Sequence, residues 1–366
     1  MAVFKNSIAQ DRVQFPIQTI IRPQSGAQYS RVVIFIGADD VATYLNTALD
    51  AGKYIQVQSN TYATDTKGKL KDTLALFFSY ASTGIVYVVN PLADDATLAK
   101  TYDDIKTLGF FKTVISEAGF TSMNTALGKL CSADEENSLH FVTIAEDVTG
   151  GNIPDSSLIK ALTDGKIGSF VKYHPTQDIA LAQIGKTISS INGTATPVGN
   201  SLDMIAMTGI TASGANGANL TPTHKNNLDK LRIGYSTDVG DGTENVAIEG
   251  SLDLNGNSAG AKWVKGYITY MCKIKTAGYI TQGNILNNST SYVAICSIVR
   301  DMVTRFETIG RLTDVHFNFP SFAVGVEQGY IVGDKINIPS AWDALYVDSI
   351  REVRIYGTLY IDQPTR

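Results

Sequence analysis

The chain has 366 residues, of which 44% are hydrophobic and 18% charged, so it can bury substantial cores. Its 30 basic and 35 acidic residues give a formal net charge of −5, which argues against broad binding to nucleic acid or to an anionic membrane surface. The three cysteines fit neither a metal ligand set nor a disulfide framework. No apolar run is long enough to span a bilayer or to form a signal peptide, so we expect synthesis in the cytoplasm and no membrane insertion.

Residues 1–30 predict an extended N-terminal arm. Prolines at positions 16 and 23 are compatible with an edge strand but not with the middle of a sheet. Three apolar side chains recur at the strand period and share one face: Val13, Phe15 and Ile17.

Residues 31–210 predict an α/β layer domain, because short apolar strands alternate with amphipathic helices. The first helix is expected at 41–49, where apolar side chains recur at helical spacing and Gly52 provides a stop. The clearest strands are VVIFIG, YIQVQ, IVYVVNP, LHFVTIA and SFVKYH, and the clearest helices are KGKLKDTLALFFSYASTG, ATLAKTYDDIKTLGF and residues 178–191.

A loop rich in Gly, Asn, Ala and Thr, TASGANGANLTPTH, marks the boundary to a second predicted domain at 211–345. Turn-rich sequence around residues 238–260 indicates hairpins. Two amphipathic helices follow at 261–277 and 291–309, and from residue 314 onward the sequence is strand-like.

The two predicted helices of the second domain carry basic residues that face away from their apolar side. Lys262, Lys265 and Lys273 lie on the first helix, and Arg300 and Arg305 lie on the second. Such residues are typical of a solvated helix face. The alternative is a basic stripe that meets an acidic partner surface.

No combination of residues indicates a catalytic, cofactor or metal site. The four histidines, at 140, 174, 224 and 316, have no partner at a metal-ligand spacing. VVIFIGADDVA has the strand–turn–helix order of a dinucleotide site, but two carboxylates stand where further glycines are needed. DLNGNSAG at 253–260 lacks the glycine and glutamate positions of a calcium loop, so we interpret it as a tight turn.

The chain ends on a well-patterned strand, IREVRIYGTLYID, within a predicted C-terminal arm at 346–366. An exposed edge of this composition would pair without control unless it is hidden or used for assembly. We expect it to add to the sheet of a neighbouring copy, with a strand folded back on its own sheet as the alternative. The residues expected in this pairing are Val353, Ile355, Tyr356, Leu359 and Ile361.

Several stretches, in order along the chain, resemble contractile tail sheath proteins of myovirus-type phages and R-type pyocin-like injection devices. YSRVVIFIGADD resembles the entry to the outer domain, and LALFFSYASTGIVYVVNP resembles the helix–turn–strand signature of this family. LTPTHKNNLDKLRIGY and NVAIEGSLDLNGNSAGAKWVKGYI resemble two later segments, the second bearing a Trp. The sequence departs from the family at the GADD turn and after the Trp, where lysines replace an Arg-rich run.

The resemblance implies an α+β fold with an outer α/β domain (31–210), an inner domain (211–345) and two strand arms (1–30 and 346–366). It implies a bacteriophage structural protein, not an enzyme, that needs no cofactor and polymerises by donating strands. The sheath would surround a tail tube and contract to drive it through the target envelope, leading to genome ejection. The implied partners are further copies, the tail tube protein, and baseplate and tail terminator proteins, with assembly in the host cytoplasm into the virion tail. The basic residues on the two helices of the inner domain would contact the tube.

Two other functions stay open at this stage. A tail tube or baseplate protein is the structural alternative, although a tube protein would be smaller and mostly β. An α/β enzyme with a β-rich second domain is the catalytic alternative, and it requires a convergent site that the sequence does not indicate.

Overall fold

The computed structural model describes residues 31–37, 40–106, 111–115, 119–134, 138–191, 205–240, 246–281, 288–332, 335–338 and 341–346. These residues combine helices with parallel and antiparallel strands in one α+β fold, so the predicted fold class is confirmed.

Within the described residues, nine strands form one sheet. They are β1 (Arg31–Phe35), β2 (Lys53–Val57), β3 (Ile85–Asn90), β4 (Phe111–Val114), β5 (Leu139–Ile144), β6 (Phe170–Tyr173), β7 (Ile205–Met207), β8 (Gly234–Asp238) and β9 (Val246–Glu249). Their order is β2-β3-β1-β4-β5-β6-β8-β9-β7. The six central strands, β3, β1, β4, β5, β6 and β8, run parallel to one another. At one end of the sheet β2 pairs antiparallel with β3, and at the other end β9 pairs antiparallel with β8 and with β7.

Helices cover both faces of this sheet, and the alternation of apolar residues in the strands explains why. In β1, Val32 and Ile34 belong to a cluster with helices α3 and α7, whereas Val33 and Phe35 point into a cluster with α4 and α5. The helices of this part are α1 (Val41–Tyr44), α2 (Tyr62–Asp65), α3 (Gly68–Tyr80), α4 (Ala99–Ile105), α5 (Phe120–Ala133), α6 (Leu158–Asp164), α7 (Ile179–Ile191) and α8 (Pro222–Lys230).

The remainder of the described chain is built on two long helices. It comprises α9 (Ala259–Thr281), α10 (Ser289–Thr308), β10 (Leu312–Phe317), α11 (Phe322–Glu327), β11 (Ile331–Val332), β12 (Lys335–Ile336) and β13 (Trp342–Tyr346). The rings of Tyr267 on α9 and Phe306 on α10 meet edge to face, with their centroids 5.8 Å apart. Both residues, and Trp263, belong to the same buried cluster as the α3–α7 face of the large sheet.

The large sheet continues past residue 210, where the sequence predicted the end of the first domain. Strands β8 and β9 follow that position and extend the sheet beyond β6. The division into domains at 31–210 and 211–345 stays a prediction.

The predicted helix at 41–49 is wrong beyond its first turn. Helix α1 ends at Tyr44, and Leu45 is already extended and forms an isolated bridge with Thr66. The Asn46 side chain donates to the carbonyl of Thr64, 2.7 Å away, so it competes with further helical turns.

The strand-like interpretation of residues 314–328 is correct only for its first part. The strand ends before Pro320, and α11 follows, with the Ser321 hydroxyl accepting from the amide of Val324. The alternating apolar residues of FAVGVE suggested a strand, but the serine cap after a proline favours a short helix.

Candidate functional site

The two predicted strand arms lie outside the described residues. This applies to Val13, Phe15 and Ile17 and to the whole C-terminal set from Val353 to Ile361. Their pairing with a neighbouring copy stays a prediction.

The described chain reaches the C-terminal arm through a small sheet formed by β10 and β13. These strands are antiparallel, pairing Leu312 with Tyr346 and Phe317 with Trp342. One face packs on the main core through residues such as Val315, while the other exposes Leu345, which is 60% accessible. Within the described residues this sheet has two strands, and β13 ends where the predicted C-terminal arm begins. Its edges are therefore the candidate positions for the addition of strands.

The expectation of a solvated face on α9 is wrong for Lys262. Its ammonium lies 2.9 Å from a carboxylate oxygen of Asp253, which is fully buried, and it also lies over the ring of Phe170 on β6. The same carboxylate accepts from the backbone amides of Asn255 and Asn257. The turn predicted in DLNGNSAG is thus confirmed. Its aspartate binds the backbone of the turn and Lys262 of α9, and Lys262 in turn contacts Phe170 of the large sheet.

The other two lysines of α9 differ from each other. Lys265 is exposed, but Lys273 is only 4% accessible, so the solvated-face expectation is wrong there too. Burial lowers the pKa of Lys273 to about 8. Of the predicted α9 stripe, only Lys265 lies at the surface of this chain.

The two arginines of α10 lie at the surface of the second long helix. The Arg300 guanidinium lies over the rings of Phe317 and Phe319, 5.3 and 5.8 Å from their centroids. Arg305 pairs with Asp301, which also accepts from Lys275 of α9 at 3.2 Å. Lys275 was not among the predicted residues, because only the packing of α9 on α10 brings it to this site. Contact of these basic residues with a tube stays a prediction.

His140 occupies a buried polar network in the large sheet. Its Nδ1 lies 2.8 Å from the Ser169 hydroxyl and its Nε2 lies 3.1 Å from Oδ1 of Asn124. All three side chains are fully inaccessible, so a substrate cannot reach them. The network therefore satisfies buried polar groups rather than forming a reactive site.

Complete burial lowers the pKa of His140 to about 3. In the unfolded chain the histidine has its ordinary pKa of about 6.5. As the pH falls below this value, the unfolded chain binds a proton that the folded protein does not bind, so the free energy of unfolding decreases. Between pH 7 and pH 5 we expect the wild type to lose about 2 kcal/mol more stability than a His140→Gln variant. Urea unfolding at both pH values measures this difference, and parallel pH curves for the two proteins would contradict it.

Among the described residues, no group of three or more His, Cys, Asp or Glu side chains could hold a metal ion. In the same part of the chain, no helix is long and apolar enough to cross a membrane.

No protein-family profile and no curated protein matches this sequence. Among solved structures, the fold is similar to a chain in the cryo-EM structure of the anti-feeding prophage baseplate, with a TM-score of 0.60 and 11% identity, over 96% of this chain and 100% of that chain. It is also similar to a chain in the PVC sheath complex of an extracellular contractile injection system in its contracted state, with a TM-score of 0.56 and 13% identity, over 93% of this chain and 98% of that chain. The chain therefore shares its fold with components of contractile injection devices.

Proposed function

We propose that this chain is a structural subunit of a contractile injection device, and within such a device the subunit of its sheath. The observation that carries the proposal is the fold similarity to a chain of the PVC sheath complex, which extends over nearly the full length of both chains. The order of the segments that resemble tail sheath proteins supports the same conclusion independently of the fold.

In this proposal the subunits polymerise by exchanging strands. The predicted C-terminal arm begins at residue 346, where β13 ends, and in the proposal it is the strand that each copy donates. A donated strand adds main-chain hydrogen bonds to a sheet edge, and its alternating side chains set the register. When each copy donates at one place and accepts at another, the contact is heterologous and produces rings or helical tubes.

The proposed sheath surrounds a tail tube, is attached to baseplate and terminator proteins, and drives the tube through an envelope by contracting. Rigid subunits would rotate while the donated strands keep them connected. Lys265, Arg300 and Arg305 are the best-placed predicted tube contacts, since they are not buried in this chain. In a phage, this subunit would belong to the virion tail and serve genome ejection.

Deletion of residues 351–366 tests strand donation. We expect a soluble, folded subunit that no longer forms tubes, because the acceptor sheet loses the strand that joins copies. Sedimentation and negative-stain microscopy measure assembly, and circular dichroism checks the fold. Polymerisation of the truncated chain like that of the parent would refute strand donation.

A pair of matched variants refines this experiment. Ile355→Asp with Leu359→Asp adds two negative charges to the apolar face of the arm, which carries Val353, Ile355, Leu359 and Ile361, whereas Thr358→Asp with Tyr360→Asp adds two negative charges to the opposite face. We expect the first double variant to abolish assembly and the second to reduce it only partly. Equal loss in both pairs would contradict an apolar face packed on a neighbouring copy.

The second candidate function is a baseplate component. The similarity to a chain of the anti-feeding prophage baseplate favours it. Such a component would form a closed ring or a small complex rather than long tubes, so the length distribution of the assemblies separates the two functions.

A further inference from the structure

Two Asn-Gly steps lie within the described residues, and each is part of a tight turn. They are Asn216–Gly217, before α8, and Asn255–Gly256, before α9; a further step at 192–193 lies outside the described residues. An asparagine side-chain amide can be attacked by the backbone nitrogen of the next residue, and glycine obstructs this attack least because it has no Cβ. The surroundings of each asparagine therefore decide which step reacts.

The step at Asn216 is an exposed turn with an unrestrained side chain. Asn216 and Gly217 have φ values of 54° and 77°, and the Ala218 amide donates to the carbonyl of Ala215, as in a type I′ turn. Residues 215–219 are all exposed, and within the described residues the Asn216 side chain forms no hydrogen bond. Opening this turn breaks few contacts.

The step at Asn255 is also Asn-Gly, but both the side chain and the backbone amide of this asparagine form hydrogen bonds. The Asn255 side-chain amide donates to the carbonyl of Lys166, 3.0 Å away, and its backbone amide donates to the carboxylate of Asp253. That carboxylate is fully buried and pairs with Lys262. The glycine amides of both steps donate within their turns, Gly217 at 3.1 Å and Gly256 at 2.9 Å, so the asparagine side chains make the difference.

We propose that Asn216 is a site of spontaneous deamidation and isoaspartate formation in the folded protein. The deprotonated Gly217 nitrogen attacks Cγ of Asn216, the new N–C bond closes a succinimide, and the side-chain nitrogen leaves as ammonia. Water then opens either carbonyl of the ring and yields aspartate or isoaspartate. These reaction steps need no oxidant, cofactor or enzyme. The proposal of deamidation does not depend on the proposed function of the chain.

Conversion at Asn216 changes a turn that borders the large sheet. It adds one negative charge, and the isoaspartate product lengthens the backbone by one carbon within the turn. Next to this turn, the side chain of Asn219 accepts from the backbone amide of Asp238 and from the hydroxyl of Thr237 on β8. The modification thus acts on the loop that leads from the sheet into α8.

The test incubates the full-length folded protein at mildly alkaline pH and quantifies both asparagines by peptide mass spectrometry over time. We expect conversion at Asn255 to be at least about fivefold slower than at Asn216, the factor that one ordinary hydrogen bond represents. Faster or equal conversion at Asn255 would overturn the proposal.

Three controls distinguish the effect of the fold on the deamidation rate from the effect of the local sequence. In concentrated urea the two rates should converge, and a persistent difference would show that the fold is not its cause. Asn216→Gln should remove the reaction at this position, because the corresponding ring is larger and forms more slowly. Asn255→Gln should leave the rate at Asn216 unchanged, and a slower rate there would contradict independent sites.

Discussion

Replacing Asp253 by alanine should lower the free energy of unfolding by about 3–5 kcal/mol. The carboxylate is fully buried and accepts from Lys262 and from two backbone amides of its own turn. Its removal leaves the Lys262 ammonium near the ring of Phe170 without this counter-charge. Urea unfolding of the purified variant measures the loss.

A matched control for this substitution is Asp94→Ala. Asp94 forms an ion pair of similar length with Lys100, but both side chains are largely exposed. We expect no measurable change in stability for this variant, because solvent screens the pair. The double variant Asp253→Leu with Lys262→Met should be more stable than Asp253→Ala, since it removes both buried charges together. A loss for Asp253→Ala no larger than for Asp94→Ala would show that the buried pair does not hold α9 to the sheet.

Replacing Gly234 by alanine should destabilise the fold by about 3 kcal/mol. A Cβ at this position would lie 2.3 Å from the carbonyl oxygen of Glu249 and 2.5 Å from Nζ of Lys172. The glutamate carbonyl belongs to β9, which is paired with β8, so the backbone cannot move away without breaking the ladder. Thermal and urea unfolding measure the effect.

The control for Gly234 is Gly278→Ala on α9. A Cβ at Gly278 meets no atom within 4 Å, and alanine is favoured over glycine in a helix by about 1 kcal/mol. This variant should therefore be as stable as the wild type or more so. Destabilisation of similar size at both glycines would contradict close approach as the cause at Gly234.

Much of the secondary structure followed from periodicity. Strands β1 and β3 and helices α3 and α7 were predictable because a buried parallel strand is uniformly apolar and a helix that covers it has one apolar face. The helix at 41–49 was not predictable in this way, because apolar spacing does not reveal the hydrogen bond from the Asn46 side chain to the distant carbonyl of Thr64.

The arrangement of these elements could not be predicted. The sequence around residue 210 indicates a boundary, yet β8 and β9 return to the sheet through pairing with β6 and β7. Strand order depends on contacts between distant residues, which local patterns do not encode. The same limit applies to Lys262, whose partner at Asp253 precedes it in a loop, and whose contact with Phe170 exists only in the fold.

For the basic residues, the helical pattern predicted some of the exposed positions correctly and others incorrectly. Periodicity placed five cations away from the apolar side of their helices, and for Lys265 and Arg300 this agrees with their exposure. Lys273 is buried, although the same helical spacing places it with Lys265. The pattern also missed Lys275, which reaches Asp301 only through the packing of α9 on α10.

The most direct test of the proposed sheath function is negative-stain electron microscopy of the purified full-length chain over a range of protein and salt concentrations. Polymerisation through donated strands predicts hollow helical tubes of constant diameter and variable length. A sample that stays strictly monomeric under all these conditions would contradict the account.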